Sequence, residues 1–268
     1  MMVQKREPAV AGSFYPSDPN ELRAAVQALL DGAGIDPGPA PRALIVPHAG
    51  YRYSGAVAAS AYAKLLPHRS HYRRVVLLGP AHRESLRGLA LPGVDEFTTP
   101  LGAVPLETAG LPDHPAVTID FNAHRLEHSL EVQLPFLQLA LAGFSLLPLV
   151  VGQARADDVA DVIESLWDST TLVVVSSDLS HYLPHAEAQR RDSDTCRAIA
   201  ALDASGIGRH DACGAAPLRG LLRAAHRRGL AVRTLDLCTS GDTAGPRDRV
   251  VGYGAWMLAE KEPWKPAA

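Results

Sequence analysis

Cysteine is scarce in this chain: three residues in 268, at positions 196, 213 and 238. An odd, sparse set cannot close a disulfide framework, so each is read as a free thiol of a reducing compartment. Long apolar runs are missing as well. None approaches the roughly 20 residues of a membrane span, and the opening "MMVQKREPAVAGSFYPSDP" lacks the apolar core of a signal peptide. The expectation is a cytoplasmic protein with no membrane partner. Runs of Lys and Arg are absent and the net charge is −3, which argues against a nucleic-acid partner. Phosphate loops are lacking too: "GYRYSGAVAAS" has two glycines but no lysine after them, and no G-x-G-x-x-G opens a helix after a strand. No nucleotide cofactor is indicated. Repeats, low-complexity tracts and linkers of shifted composition are not found, so one domain over residues 1–268 is expected.

What is present is apolar surface, 47% of the residues, enough for a sizeable core. It falls in short runs: "RALIVP" (42–47), "RVVLLGP" (74–80), "LALP" (89–92), "FSLLPLVVG" (144–152), "TLVVVSSD" (171–178), "VRTLDLCTS" (232–240) and "VVGYGAWML" (250–258). Continuous apolar runs suit strands covered on both faces. Amphipathic patterns near 20–31, 55–66, 128–141, 155–167, 186–203 and 215–228 alternate with them. The alternation predicts an α/β fold, a mostly parallel central sheet with helices on both faces.

Ligands of such sheets collect at the carboxyl ends of strands, and three strand ends each deliver a histidine: His48 in "PHAGY", His82 in "GPAHR" and His181 in "SSDLSHY". Neutral imidazoles on rigid strand ends are good metal ligands. Cys213, just before an amphipathic helix, is a candidate third ligand, because the helix N-terminus favours thiolate. Cys196 and Cys238 read as small buried hydrophobes. A His, His, Cys set would accept Fe(II), copper or zinc. Asp178, three residues before His181, could orient that imidazole if the segment turns helically, making His181 a general acid/base. A competing pattern, H-x-x-E-H, is spelled by His124, Glu127 and His128 and resembles a zinc-peptidase helix. The alternative is that Glu127, His128 and Glu131 line or cap the start of the 128–141 helix. Tyr51 and Tyr53 could wall a pocket beside His48.

Taken in order, "AGSFYP", "PHAGYRYSG", "GPAHR", "EHSLEVQLPFL", "LLPLVVG" and "VVVSSDLSHY" closely resemble the Memo family, called AmmeMemoRadiSam system protein B in prokaryotes. The resemblance spans about residues 7–259. It implies a fold similar to class III extradiol dioxygenases of the protocatechuate 4,5-dioxygenase type, with a metal site of two histidines and a cysteine. Those residues match His48, His82 and Cys213, with His181 at the dioxygenase acid/base position. The family motif takes in Glu127, His128 and Glu131 but not His124, which weighs against the peptidase pattern. Where a second histidine can follow the "GP-x-H" motif, this chain has Arg83.

The leading expectation is therefore a metal-binding protein, iron first and copper or zinc as alternatives, with a redox role on an unknown small molecule. A second reading is a peptide- or protein-binding module using the same cleft, for which the prokaryotic family name implies AMMECR-type and radical SAM partners. A third is a hydrolase with Cys213 as nucleophile and His48 or His181 as base.

Overall fold

A computed structural model describes residues 3–35, 38–107 and 114–261. In chain order the strands are Lys5–Arg6 (β1), Ala43–Val46 (β2), Arg74–Pro80 (β3), Leu89–Leu91 (β4), Glu96–Thr99 (β5), Gly102–Pro105 (β6), Val117–Ile119 (β7), Ser145–Val151 (β8), Thr171–Ser176 (β9), His181–Leu183 (β10), Ala231–Thr239 (β11) and Val250–Ala259 (β12). The α-helices are Pro19–Ala33 (α1), Tyr51–Tyr62 (α2), Phe121–Arg125 (α3), Leu134–Ala140 (α4), Ala156–Leu166 (α5), His185–Ala200 (α6), Ala215–Arg227 (α7) and Ser240–Thr243 (α8).

The main sheet runs β10-β12-β2-β9-β3-β8-β4-β7, with β11 also on β12, and β1-β5-β6 form a small separate sheet. It is mixed, which corrects the expectation of a mostly parallel sheet. The pairings β2–β9, β9–β3, β3–β8 and β4–β7 are parallel, whereas β10–β12, β11–β12, β12–β2 and β4–β8 are antiparallel. The physical reason lies in what an apolar run reports. The β12 strand is buried along nearly all its length, as a parallel strand would be, yet burial on two faces says nothing of direction. The half-exposed β11 beside it is covered less completely than a parallel strand would be, as antiparallel strands commonly are.

Side chains alternate across the sheet. Leu44, Val46, Val75, Leu77, Leu172 and Val174 face one core with Leu22, Val26 and Leu30 of α1 and Val57 and Ala61 of α2. Ala43, Ile45, Val76, Leu78, Val173 and Val175 face the other with Val159 and Ile163 of α5 and Leu218, Leu221 and Leu222 of α7. The α1 helix forms because Asp18 caps it, accepting from the N–H groups of Asn20 and Glu21, with Pro19 at the first turn. Its Leu22, Val26 and Leu30 then fall on one face, each worth roughly 1.5–3 kcal/mol on burial. Close approach of α5 and α7 requires Gly220, where a Cβ would lie 2.3 Å from Val159 Cγ1.

The helix expected from residue 128 starts late. Glu131–Gln133 is a 3-10 turn and the α-helix begins at Leu134, with Pro135 in its first turn. Residues 126–130 instead cross the carboxyl edge as a loop, Ser129 packing on Gly79. Among the described residues no helix is long and apolar enough to cross a membrane.

Candidate functional site

The parallel centre of the sheet decides where the site lies. Because β2, β9 and β3 are adjacent and run the same way, their carboxyl ends meet at one edge and deliver His48, the 177–181 segment and His82 to a common cleft of about 620 Å³. Cys213 joins from the residue before the Gly214 cap of α7. Gly214 is needed there, since a Cβ would sit 2.7 Å from Ser177. The ligand-capable atoms of His48, His82 and Cys213 all lie within 4.8 Å of one another.

Hydrogen bonds fix which atoms face inward. Ser176 Oγ donates its one proton to Ser129 O at 2.6 Å and accepts from Gln133 Nε2 at 2.8 Å. The 2.9 Å contact with His48 Nδ1 therefore needs the imidazole as donor. His48 carries its proton on Nδ1 and turns a bare Nε2 toward Cys213 Sγ, 3.3 Å away. Gln133 is held in turn, donating to Pro47 O and accepting from Tyr62 Oη. Burial, with His82 adding to it, lowers the His48 pKa to about 3, so this ring stays neutral.

His82 is set by Glu127. The carboxylate accepts from His82 N at 2.6 Å, His82 Nδ1 at 2.9 Å and Ser129 N at 2.9 Å. Burial pushes the Glu127 carboxyl upward, but its hydrogen bonds from His82 and Ser129 outweigh that and bring it down to about 2. In the neutral His82 ring the proton lies on Nδ1 and Nε2 is the free donor atom. His128 stacks on His82 with centroids 4.8 Å apart, and its Nδ1 is buried without a hydrogen bond. Burial, then His48, lowers its pKa to about 4. A second close set, His82, Glu127 and His128, shares His82, whose Nδ1 is already engaged by Glu127.

Cys213 differs from expectation. Burial, with the nearby Asp178 carboxyl, holds its thiol well above the usual range, so the helix start does not by itself make a thiolate. Asp178 also differs. Its Oδ1 accepts the His48 N–H at 2.7 Å and its carbonyl accepts the Cys213 N–H at 3.2 Å, while burial raises its own pKa. It joins two ligand-bearing loops and does not orient His181, because the segment turns extended and enters β10. His181 is held by Leu179 O, which accepts from Nδ1 at 2.8 Å. Nε2 is left without a partner among the described residues. The next residue, Tyr182, adopts φ 61° under Arg249, whose guanidinium lies 4.5 Å from the ring centroid.

A profile described as "Memo-like protein" matches residues 6–257. The chain belongs to the Memo family. Curated relatives agree along the whole length. A MEMO1 family protein of Methanopyrus kandleri is 36% identical over 94% of this chain and 98% of its own. One of Metallosphaera sedula is 36% identical over 96% and 100%. A solved structure of an uncharacterized protein from Escherichia coli K12 covers 80% of this chain and 98% of its own at 14% identity and TM-score 0.48, too loose a likeness to carry an inference.

In this Memo-family chain, then, His48, His82, Cys213, His128, Asp178 and His181 line one cleft. The other residues singled out in the sequence lie elsewhere. Glu127 sits behind His82. Glu131 is fully buried and accepts from Arg6 Nη1, Ala9 N, Val10 N and Tyr15 Oη, tying down the N-terminal segment. Tyr51 is spent on Val132 O and packs against Phe136, and Tyr53 packs at the margin of the core under Arg52. His124 donates to Ala90 O through Nε2, and α3 ends at Arg125 before Glu127 and His128. No helix therefore presents His124 and His128 on one face, which removes the peptidase pattern. Sequence reasoning missed Ser176 and Gln133. The one signal they gave was position, a serine ending an apolar strand and a glutamine amid the buried residues of "VQLPF".

Proposed function

We propose that this protein holds one iron or copper ion through His48 Nε2, His82 Nε2 and Cys213 Sγ and uses it in a redox reaction on a small molecule in the cleft. The observation that carries the reading is the pair of fixed tautomers. Both imidazoles have Nδ1 committed to the protein, leaving two Nε2 lone pairs and a sulfur in one cluster. Two neutral imidazoles with a thiolate suit iron, copper or zinc, and the donor set thus fits the group that the family resemblance implies. A bound iron or copper ion supplies an open coordination position and a change of oxidation state.

The protein's own part is positional. Glu127 and Ser176 hold the two rings as second partners of metal-ligating histidines commonly do, and Asp178 ties the His48 and Cys213 loops together. Cys213 gives up its thiol proton on metal binding, which the high thiol pKa makes pH-dependent. His181, with its Nδ1 proton held by Leu179 O, takes a proton at Nε2 from a substrate in the cleft and returns it later.

A hydrolytic reading has one observation in its favour, the 3.3 Å approach of Cys213 Sγ to His48 Nε2. A nucleophilic pair needs a lowered thiol pKa and a protonated histidine; here burial drives both the other way. The test is anaerobic loading followed by elemental analysis of the wild type and of His48→Ala, His82→Ala and Cys213→Ser. One iron or copper per chain in the wild type, lost in the variants, is expected. Unchanged stoichiometry in all three defeats the proposal. His181→Ala should keep the metal and lose any oxygen consumption.

A further inference from the structure

The cleft carries a charge that the chain as a whole does not. The protein has a net charge of −3, yet the cleft is lined by Arg83, Arg191 and Arg209 together with its histidines, and Asp178 is the sole carboxylate among its described lining residues. Asp178 is itself 5% exposed and occupied by His48 N, so it neutralises little at the cleft mouth.

Some arginines elsewhere in the molecule find acids. Arg227 pairs with Asp157, Asp161 and Glu164, Arg74 with Glu107, and Arg247 with Asp242. Among the described residues the three cleft arginines make no ion pair. Arg191 donates to the His210 carbonyl at 3.5 Å and Arg209 Nε donates to His210 Nε2 at 3.2 Å; both also border an adjoining concavity with Glu187, Asp194 and Asp211. They come from three separate places, the loop after β3, the α6 helix and the loop before α7. Convergence of unpaired guanidinium groups on one concavity costs self-repulsion. It also focuses a positive field where a ligand would enter, and the planar fork of each guanidinium matches a carboxylate or phosphate. A volume of about 620 Å³ lies within the range of small-molecule sites, roughly 300–1,000 Å³.

We propose that the cleft binds a small anionic molecule, one bearing a carboxylate or phosphate group, held by Arg83, Arg191 and Arg209 beside the His48, His82 and Cys213 cluster. This names the substrate class for the reaction proposed above and rests on that reading for the chemistry; the binding step needs no metal.

The experiment is calorimetric titration of the metal-free full chain with inorganic phosphate and with succinate, with succinamide as the uncharged control of equal length. Saturable binding of at least one anion, no binding of succinamide and weakening with rising ionic strength are expected. Whichever anion binds more tightly identifies the group recognised. Arg83→Gln, Arg191→Gln and Arg209→Gln should each weaken the anion at least about fivefold, while Arg155→Gln, outside the cleft, should not. No saturation by either anion, equal binding of succinamide, or unchanged affinity in all three cleft variants overturns the proposal. Repeating the titration on Cys213→Ser keeps the two readings apart: anion binding should persist there although metal is lost. A wild type that binds anion but no metal would defeat the metal reading alone.

Discussion

Glu127 and Glu131 lie four residues apart in one segment, exposed by 2% and 0%, and they face different partners. Glu127 receives a neighbouring imidazole and two backbone N–H groups. Glu131 receives a guanidinium, two backbone N–H groups and a tyrosine hydroxyl. Identical side chains thus divide between aligning a candidate ligand and anchoring the N-terminal segment. What differs is the element brought against each: the end of β3 at Glu127, β1 and the segment after it at Glu131. The imidazole keeps a second, free nitrogen for a ligand. Arg6 keeps nothing, because its remaining nitrogens donate to His124 O and Glu127 O.

The largest expected effect breaks the anchoring side. Glu131→Ala leaves Arg6, 1% exposed, as an uncompensated buried charge and strands three further donors. A loss of about 3–5 kcal/mol is expected, read by urea denaturation. The double change Arg6→Met with Glu131→Gln should recover part of that loss, since no buried charge remains; no recovery would mean the damage lies in the stranded backbone donors. Metal stoichiometry of the folded fraction should not change in either variant.

Next in size is an acid effect centred on His124, which packs against Phe97 and gives its carbonyl to Arg6. Burial lowers its pKa to about 4, against about 6.5 in the unfolded chain. Between those values the unfolded state holds the extra proton, so stability falls as pH drops from 6.5 toward 4, by about 3 kcal/mol in all for this group. His48 and His128 act with the same sign. Glu127, with its lowered pKa, contributes stability that is lost only below about 4.5, as pH falls toward 2. Asp178 and Asp192, whose pKa values burial raises, act with the opposite sign. Metal-free denaturation at pH 7, 6 and 5 should therefore show decline above the range in which Glu127 contributes, and His124→Gln should lessen it. A flat profile down to pH 5 would contradict the assignment of neutral buried histidines.

How far the sequence reached follows the same division. That His48 and His82 share one edge was legible because strand ends are local signals and β2, β9 and β3 run parallel; Cys213 joins them from the start of α7, where burial overrides the helix start that singled it out. The bond from His82 to Glu127 spans 45 residues and that from Arg6 to Glu131 spans 125. No local pattern tells one glutamate from the other. Strand direction was likewise hidden, because β12 shows the burial of a central parallel strand while pairing antiparallel to β2, β10 and β11. The three cleft arginines lie in distant segments, and only the fold shows that they share a wall.

The site side is probed more gently by Glu127→Gln. The amide keeps the shape but withdraws the charge that fixes His82 Nδ1–H. Loss of such a partner typically lowers metal affinity by about 10–100-fold, measured by competition against a chelator. The fold should survive at a cost of about 1–3 kcal/mol. Retained affinity would show that Glu127, like Glu131, serves only the fold.

The smallest effect compares two residues held in the left-handed region, Leu202 at φ 54° and Tyr182 at φ 61°. Leu202 follows α6 and packs against the core, so its side chain offsets the backbone cost. Tyr182 is 61% exposed; its compensation is the Arg249 guanidinium over the ring, about 0.5–1 kcal/mol at an exposed site, with an edge contact from His181. The left-handed conformation costs an L-residue roughly 1–2 kcal/mol, and asparagine tolerates it better. Tyr182→Asn should therefore stabilise the protein by a few tenths to about 1 kcal/mol, and by more when Arg249→Ala has already removed the stacking. Leu202→Asn should destabilise it, because lost packing outweighs relief. If Tyr182→Asn also weakens phosphate or succinate binding, the strain at the cleft mouth serves the ligand; if binding is untouched, Tyr182 is a consequence of how β10 must turn to present His181.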